Sequence, residues 1–343
     1  MRIGEPNSRE LVLEAMRGAA SRIPVYFWLA DPELEASVGD VIGIRCWFKC
    51  FDFDQKGGPF AKLTEARQQW CDRLEPDAYE WPTFDALATD MDQIVAEVLK
   101  VDKTKSFQLE FIGPTENSET SCASAASSRA QKLGQTSHRF DFSVLTVLAP
   151  DKADTIHRRF FNLLMGVIER ATEYEAIDFI RIADDFCGYG GSLYRPDFTQ
   201  TIVERQIELG RAVVRGGKHS ILHADGDLRQ YLHGLANAYS GFHPLDIMPK
   251  SSVHAAQLWA SGLEDVRRLL PNSVLFTGIP IDLLCNREVS SEELVGVVKY
   301  VIKAVGQDRL VLTTTHRPYP GWSYGDFEQK AFAVKQLIQS LVQ

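Results

Sequence analysis

Pro24-Val25-Tyr26-Phe27-Trp28-Leu29-Ala30-Asp31-Pro32-Glu33 is the stretch on which the choice of fold turns. Its continuous apolar run, Pro24 to Leu29, reads as a strand buried on both faces. In an open doubly wound sheet the first strand is followed by a glycine fingerprint that lets the backbone approach a phosphate. Here Ala-Asp-Pro-Glu follows instead. The pattern therefore favours the other common way of building a parallel sheet with helices outside it, a closed barrel.

Outward from that strand the chain alternates short apolar runs with longer amphipathic stretches. Further strands are expected at Ser106–Ile112, Asp141–Leu148, Asp178–Ala183, Lys218–His223, Pro244–Met248, Ser273–Gly278 and Arg309–Thr315. Between them, Ile156, Phe160, Leu163, Leu164, Val167, Ile168 and Ala171 recur at helical spacing. Pro196 opens a second helix, and Ser290-Ser291-Glu292-Glu293 is a capping box that opens a third. Thr115 to Ser137, rich in Ser, Thr, Ala and Gln, reads as a loop or surface helix over one end of the fold. The expected fold class is α/β, a single (β/α)8 TIM barrel spanning residues 1–343, with an N-terminal extension and loops over the C-terminal mouth.

Composition fits this and narrows the function. The 343 residues are 45% hydrophobic and 24% charged, which excludes a disordered or disulfide-scaffold protein. A net charge of −9 without any block of like charges argues against nucleic acid or an anionic membrane as partner. Residues 1–14 lack the apolar core of a signal peptide, and the six cysteines are scattered, so a cytoplasmic protein with reduced thiols is expected.

In a barrel of this kind the chemistry sits at the C-terminal ends of the strands. Asp31, Glu110, Asp184, Asp185, His223, Asp225, Asp246 and His316 are the polar residues expected there. In Ile221-Leu222-His223-Ala224-Asp225-Gly226-Asp227, His223 and Asp225 are two apart, so a continuing strand projects both from one face, about 7 Å apart at Cα. Such a pair can share a divalent metal or act as acid and base, or it can simply cap a turn. Asp184 and Asp185 are adjacent, so one faces the mouth while the other turns away. Glu110 is paired in the interior or faces the helices. His316 and Arg317 end the last strand and suit a substrate carboxylate, or His316 completes a His/Asp/His metal set. His138, His157, His219, His233, His243 and His254 are read as structural. The aromatic run Trp47 to Phe53 is read as a loop over the mouth.

Ile182-Ala183-Asp184-Asp185-Phe186 with its glycine-rich loop, then Arg195-Pro196-Asp197-Phe198, the His223–Asp227 motif, Phe276-Thr277-Gly278-Ile279-Pro280, Ser291-Glu292-Glu293-Leu294 and Thr315-His316 stand in one order. That order resembles the uroporphyrinogen decarboxylase (URO-D) superfamily, which also contains zinc-dependent corrinoid methyltransferases. Glu14-Ala15-Met16-Arg17-Gly18 and Arg22-Ile23-Pro24-Val25 resemble its N-terminal opening. The decarboxylases carry an Arg-Gln-Ala-Gly-Arg run after the first strand, where this chain has Ala30-Asp31-Pro32-Glu33. The methyltransferases bind zinc through His-x-Cys and a later Cys. Here His223 matches the His, Asp225 stands at the first Cys, and His316 or Thr315 lies near the second.

The resemblance implies a methyltransferase-like enzyme with a metal-activated acceptor and a corrinoid or related one-carbon donor. His223, Asp225 and His316 are then the ligands of a divalent metal, zinc above all, and Asp185, Glu110 and His316 the catalytic groups. Asp184, Tyr189, Arg317 and Trp28 are the residues expected to bind substrate. The alternatives are a decarboxylase acting on a carboxylic acid and a non-catalytic tetrapyrrole- or corrinoid-binding protein. The implied partners are a small-molecule substrate and a corrinoid protein docking on Trp47–Phe53 and Gly188–Leu193. A homodimer is compatible with the sequence.

Overall fold

In a computed structural model of the chain, residues 7–29, 31–47, 65–122, 141–318 and 324–341 are described. The parallel strands are β1 (Val25–Tyr26), β2 (Val41–Cys46), β3 (Ser106–Ile112), β4 (Ile177–Ala183), β5 (His219–Ala224), β6 (Gly241–Pro244), β7 (Val274–Ile279) and β8 (Leu310–Thr314). They form an eight-stranded sheet in the order β1-β8-β7-β6-β5-β4-β3-β2. Each strand thus lies beside its neighbour in the chain, and β1 pairs with β8 through Val25–Leu312 and Tyr26–Thr313. At the seam between β1 and β2, Asp40 N donates 2.7 Å to Val25 O. Helices including Pro150–Thr172, Pro196–Arg215, Val253–Leu269 and Ser291–Val305 cover the outside. The fold is the expected (β/α)8 barrel. No helix among the described residues is long and apolar enough to cross a membrane.

Helix Ser8–Arg17 closes the floor. Asn7 and Glu10 form a reciprocal capping box at its start, and Gly18, at φ 72°, ends it in the left-handed conformation that glycine adopts without a Cβ penalty. Its Val12, Ala15 and Met16 pack against Phe179, Ile221 and Phe276 from the interior face of the strands. The predicted capping box at Ser290 is present, with Glu293 as its reciprocal partner.

Two strand expectations are corrected, and one strand was not expected. Asp141–Leu148 is a helix. Its β-branched, apolar sequence suits either state over eight residues, and burial of Phe142 and Leu145 at i,i+3 with Val147 facing solvent selects the helix. The strand expected at Pro244–Met248 lies earlier, at Gly241–Pro244. The unexpected strand is β2, whose apolar run is broken by Gly43 and Arg45. Both belong to the interior: a Cβ on Gly43 would collide with the Tyr26 hydroxyl, and Arg45 pairs with Glu35.

Candidate functional site

Strand register decides which side chains meet inside the barrel. Arg45 on β2 is the register partner of Glu110 on β3, and Glu110 of Arg181 on β4. All three project inward, so a ladder of alternating charge crosses three strands. Arg181 forms an ion pair with Glu110, both almost fully buried. Arg45 donates 2.9 Å to Glu35, which also accepts from Leu29 N at 2.8 Å and Gly43 N at 2.7 Å. Glu35 thereby ties the end of β1 to β2. Burial raises its carboxyl above the usual range, with Arg45 opposing.

On the other side of the interior, His223 of β5 and His243 of β6 are register partners. Their rings meet edge to edge, 27° from parallel with centroids 4.7 Å apart, and Nδ1 of each lies 2.5 Å from the other. Nε2 of His243 lies 2.9 Å from the Thr314 carbonyl oxygen on β8. Burial holds both imidazoles well below their ordinary pKa; His243 adds to the effect on His223, and Arg181 and His316 add to it on both.

Trp28 fills the space between the two groups. Its ring is met edge-on by His223 at 5.4 Å, His243 at 5.8 Å and His316 at 5.5 Å, and the Arg181 guanidinium lies 4.0 Å over it. The Trp28 backbone N–H is fixed by Thr314 Oγ1 at 2.9 Å. Its buried Nε1–H has no hydrogen-bond partner among the described residues, and neither has Oε1 of Glu110. Buried polar atoms left without partners mark places where water or a ligand group completes the network.

Above this layer, ligand atoms of Asp185, His223 and Asp225 all lie within 4.8 Å of one another, which makes them a candidate cation site among the described residues. His223 Nε2 stands 3.8 Å from Asp225 Oδ1, and Asp185 Oδ1 accepts the Asp225 backbone N–H at 2.8 Å. The turn that follows depends on Gly226, at φ 90°, where a Cβ would collide with the Cys187 carbonyl.

The sequence-predicted residues divide accordingly. His223, Asp225 and Asp185 come together, with Asp185 occupying the third place for which His316 was expected. His316 instead turns its Nδ1 to the Arg317 carbonyl at 2.9 Å while its ring meets Trp28. Glu110 and Trp28 lie in the layer beneath. Asp184 points away from Asp185 into the wall, where Glu116 N, Thr115 Oγ1 and Gln206 donate to it. Burial pushes its carboxyl up to about 7. Arg317 lies over the Trp47 ring at 4.7 Å. Tyr189 is exposed on the hairpin between Cys187–Gly188 and Gly191–Ser192. Of the shortlisted acids, Asp31 caps the helix Pro32–Val38 through Leu34 N, and Asp246 pairs with Lys250. Burial pulls the Lys250 ammonium down to about 8, with Asp225 and Asp282 opposing. Most of the Trp47–Phe53 run and His138 lie outside the described residues.

Arg45, Arg181 and Lys250 are interior residues that the sequence pattern leaves unmarked, and His243, read from the sequence as structural, stands against His223 in the site. His243 had one legible signal, its place beside a proline at a barrel strand, obscured because the apolar Leu245, Ile247 and Met248 pulled the expected strand forward. The thiols of Cys46 and Cys187 are pushed up to about 12 by burial, so neither is a poised thiolate.

No protein-family model and no curated protein matches the sequence. Among solved structures the chain is similar to a methyltransferase from Methanosarcina mazei, with a TM-score of 0.62 at 14% identity over 99% of this chain and 100% of that one. It is also similar to a B12-independent methionine synthase from Shewanella sp. W3-18-1 (TM-score 0.44, 12% identity, 77% of this chain and 68% of that one). A β-glucosidase from Pyrococcus furiosus is a further match (TM-score 0.47, 10% identity, 90% of this chain and 83% of that one). At this identity the first match establishes a common fold over the full length of both chains.

Proposed function

We propose that this chain is a methyltransferase-like enzyme of the URO-D superfamily in which Asp185, His223 and Asp225 hold a divalent metal, zinc being the leading candidate. The mutual approach of these three side chains carries the reading. An imidazole nitrogen facing a carboxylate oxygen at 3.8 Å, with a second carboxylate alongside, is an arrangement of electron pairs that a cation between them relieves. Three protein ligands leave a fourth position for an acceptor, as in catalytic zinc sites. The methyl-transfer class itself comes from the ordered sequence motifs and from the fold shared with the M. mazei methyltransferase.

A divalent ion held by Asp185, His223 and Asp225 would supply the Lewis acidity that lowers the pKa of an acceptor group toward neutral pH. The chain's own residues do the rest. Asp225 and Asp185, joined through the Asp225 backbone, set two oxygen ligands at a fixed separation. His223 rises from the buried layer and is held there by His243 and Trp28. Two carboxylates and one imidazole are harder ligands than the thiolates of the related zinc sites and leave more positive charge on the ion. That favours an oxygen or nitrogen acceptor over a thiol. A corrinoid, free or on a partner protein, is the proposed methyl donor, approaching from the mouth where Tyr189 and Trp47 are exposed.

Elemental analysis of the purified full chain tests this. About one zinc or other divalent ion per chain in wild type, lost in both His223→Ala and Asp225→Ala, is the expected outcome. No bound metal after supplementation removes the reading. A decarboxylase would then be the next case to examine, by screening small carboxylic acids.

A further inference from the structure

His243 stands outside the three proposed ligands, yet its hydrogen bonds fix where the protons of the neighbouring ring must lie. The Thr314 carbonyl oxygen accepts and never donates, so the contact at 2.9 Å requires a hydrogen on His243 Nε2. In a neutral imidazole the other nitrogen then carries a lone pair. The Arg181 guanidinium, a donor without acceptor capacity, approaches that same Nδ1 at 3.5 Å, which agrees with it being bare. His223 Nδ1 lies 2.5 Å from this lone pair, so His223 Nδ1 must supply the hydrogen between them. The neutral His223 ring is left with its lone pair on Nε2, the atom that faces Asp225.

We propose that His243 is a positioning residue that locks His223 in the Nδ1–H tautomer and so presents a bare Nε2 to a cation at the Asp185–His223–Asp225 site. The inference deepens the metal reading and rests on it for its purpose, but the tautomer itself is a property of the metal-free chain. The strand register makes the lock rigid, because His223 and His243 are paired across β5 and β6 and Thr314 belongs to β8 of the same barrel. Metal-binding histidines commonly donate their second ring N–H to an oxygen acceptor, and losing that partner weakens metal affinity by roughly 10–100-fold. Here the acceptor is a second imidazole, itself oriented by a backbone carbonyl.

The test has two parts on the full chain. The first is long-range 1H–15N correlation of metal-free, histidine-labelled protein, with the His223 signals identified by their loss in His223→Ala. A protonated Nδ1 and a bare Nε2 on His223 support the proposal; a protonated Nε2 with a bare Nδ1 overturns it. The second is zinc affinity in His243→Leu, which removes the acceptor, and His243→Asn, which keeps a short oxygen acceptor facing His223. The leucine variant should release the tautomer preference and lose roughly 10–100-fold in zinc affinity, and the asparagine variant should recover most of both. A leucine variant with wild-type tautomer and wild-type affinity overturns the proposal. If the leucine variant fails to fold, the wild-type spectrum and the asparagine variant still decide it. A wild type that shows the Nδ1–H tautomer but binds no zinc refutes the metal reading while upholding the hydrogen-bond assignment.

Discussion

At the floor of the barrel, Phe179 and Ile221 close against Phe276 and the N-terminal helix in an apolar layer. Two residues further along the same strands, on the same inward face, stand Arg181 and His223, in a layer with Glu110, Arg45 and Trp28. Both layers are largely buried, but they differ in energetics. Buried apolar surface in the floor contributes about 25 cal/mol per Å². Buried charges in the upper layer give up solvation that their mutual attraction only partly returns. Replacing buried ion pairs by apolar residues of similar volume is often neutral or stabilising, so the polar layer is expected to add little to stability.

The comparison can be broken most forcefully at the charge ladder. Arg181→Met takes away the ion-pair partner of Glu110, leaving only Arg45 on the adjacent strand to balance a buried carboxylate, and should cost up to about 3–5 kcal/mol in urea denaturation. Arg181→Met combined with Glu110→Leu should recover most of that loss, since replacing both partners of a buried pair by apolar residues is often neutral. If the double variant were no more stable than the single, the upper layer would be a stability element like the floor.

Asp184 offers a sharper probe through pH. Its carboxyl is raised from 3.8 to about 7 by burial, so the folded chain holds this proton after the unfolded chain has released it. The group's contribution is therefore complete below pH 4 and is lost as the pH rises through about 7. Asp184→Asn cannot ionise and should show a smaller fall in unfolding free energy between pH 5 and 8 than wild type. An identical slope in both proteins would mean that Asp184 is ionised throughout.

The mildest intervention belongs to the floor. Ile221→Val removes one buried methylene two residues below His223 and should cost about 0.5–1.5 kcal/mol. Zinc affinity should stay at the wild-type value, since the perturbation leaves the ligand layer intact. A parallel loss of affinity would show that the floor and the site are mechanically coupled.

What the sequence made legible follows the same division. The α/β alternation, the helix opened by Ser290 and the pairing of His223 with Asp225 are local patterns, carried by periodicity, a capping box and a two-residue spacing. The departure of Asp184 from Asp185 was legible for the same reason, since adjacent strand residues face opposite ways. The charge ladder was not, because Arg45, Glu110 and Arg181 lie on three strands and meet only through register. His243 and Asp185 joined His223 in that way too, across β6 and the loop after β4. Asp141–Leu148 shows the converse limit, an apolar segment whose state is set by what buries Phe142 and Leu145 rather than by its own pattern.

The proposed centre itself is tested most directly by crystals of the full chain grown with zinc and measured at the zinc absorption edge. The expected map has one anomalous peak about 2.0–2.2 Å from His223 Nε2 and from one oxygen each of Asp185 and Asp225. No peak among these residues, or a peak only elsewhere in the molecule, would contradict a metal centre at the mouth of this barrel.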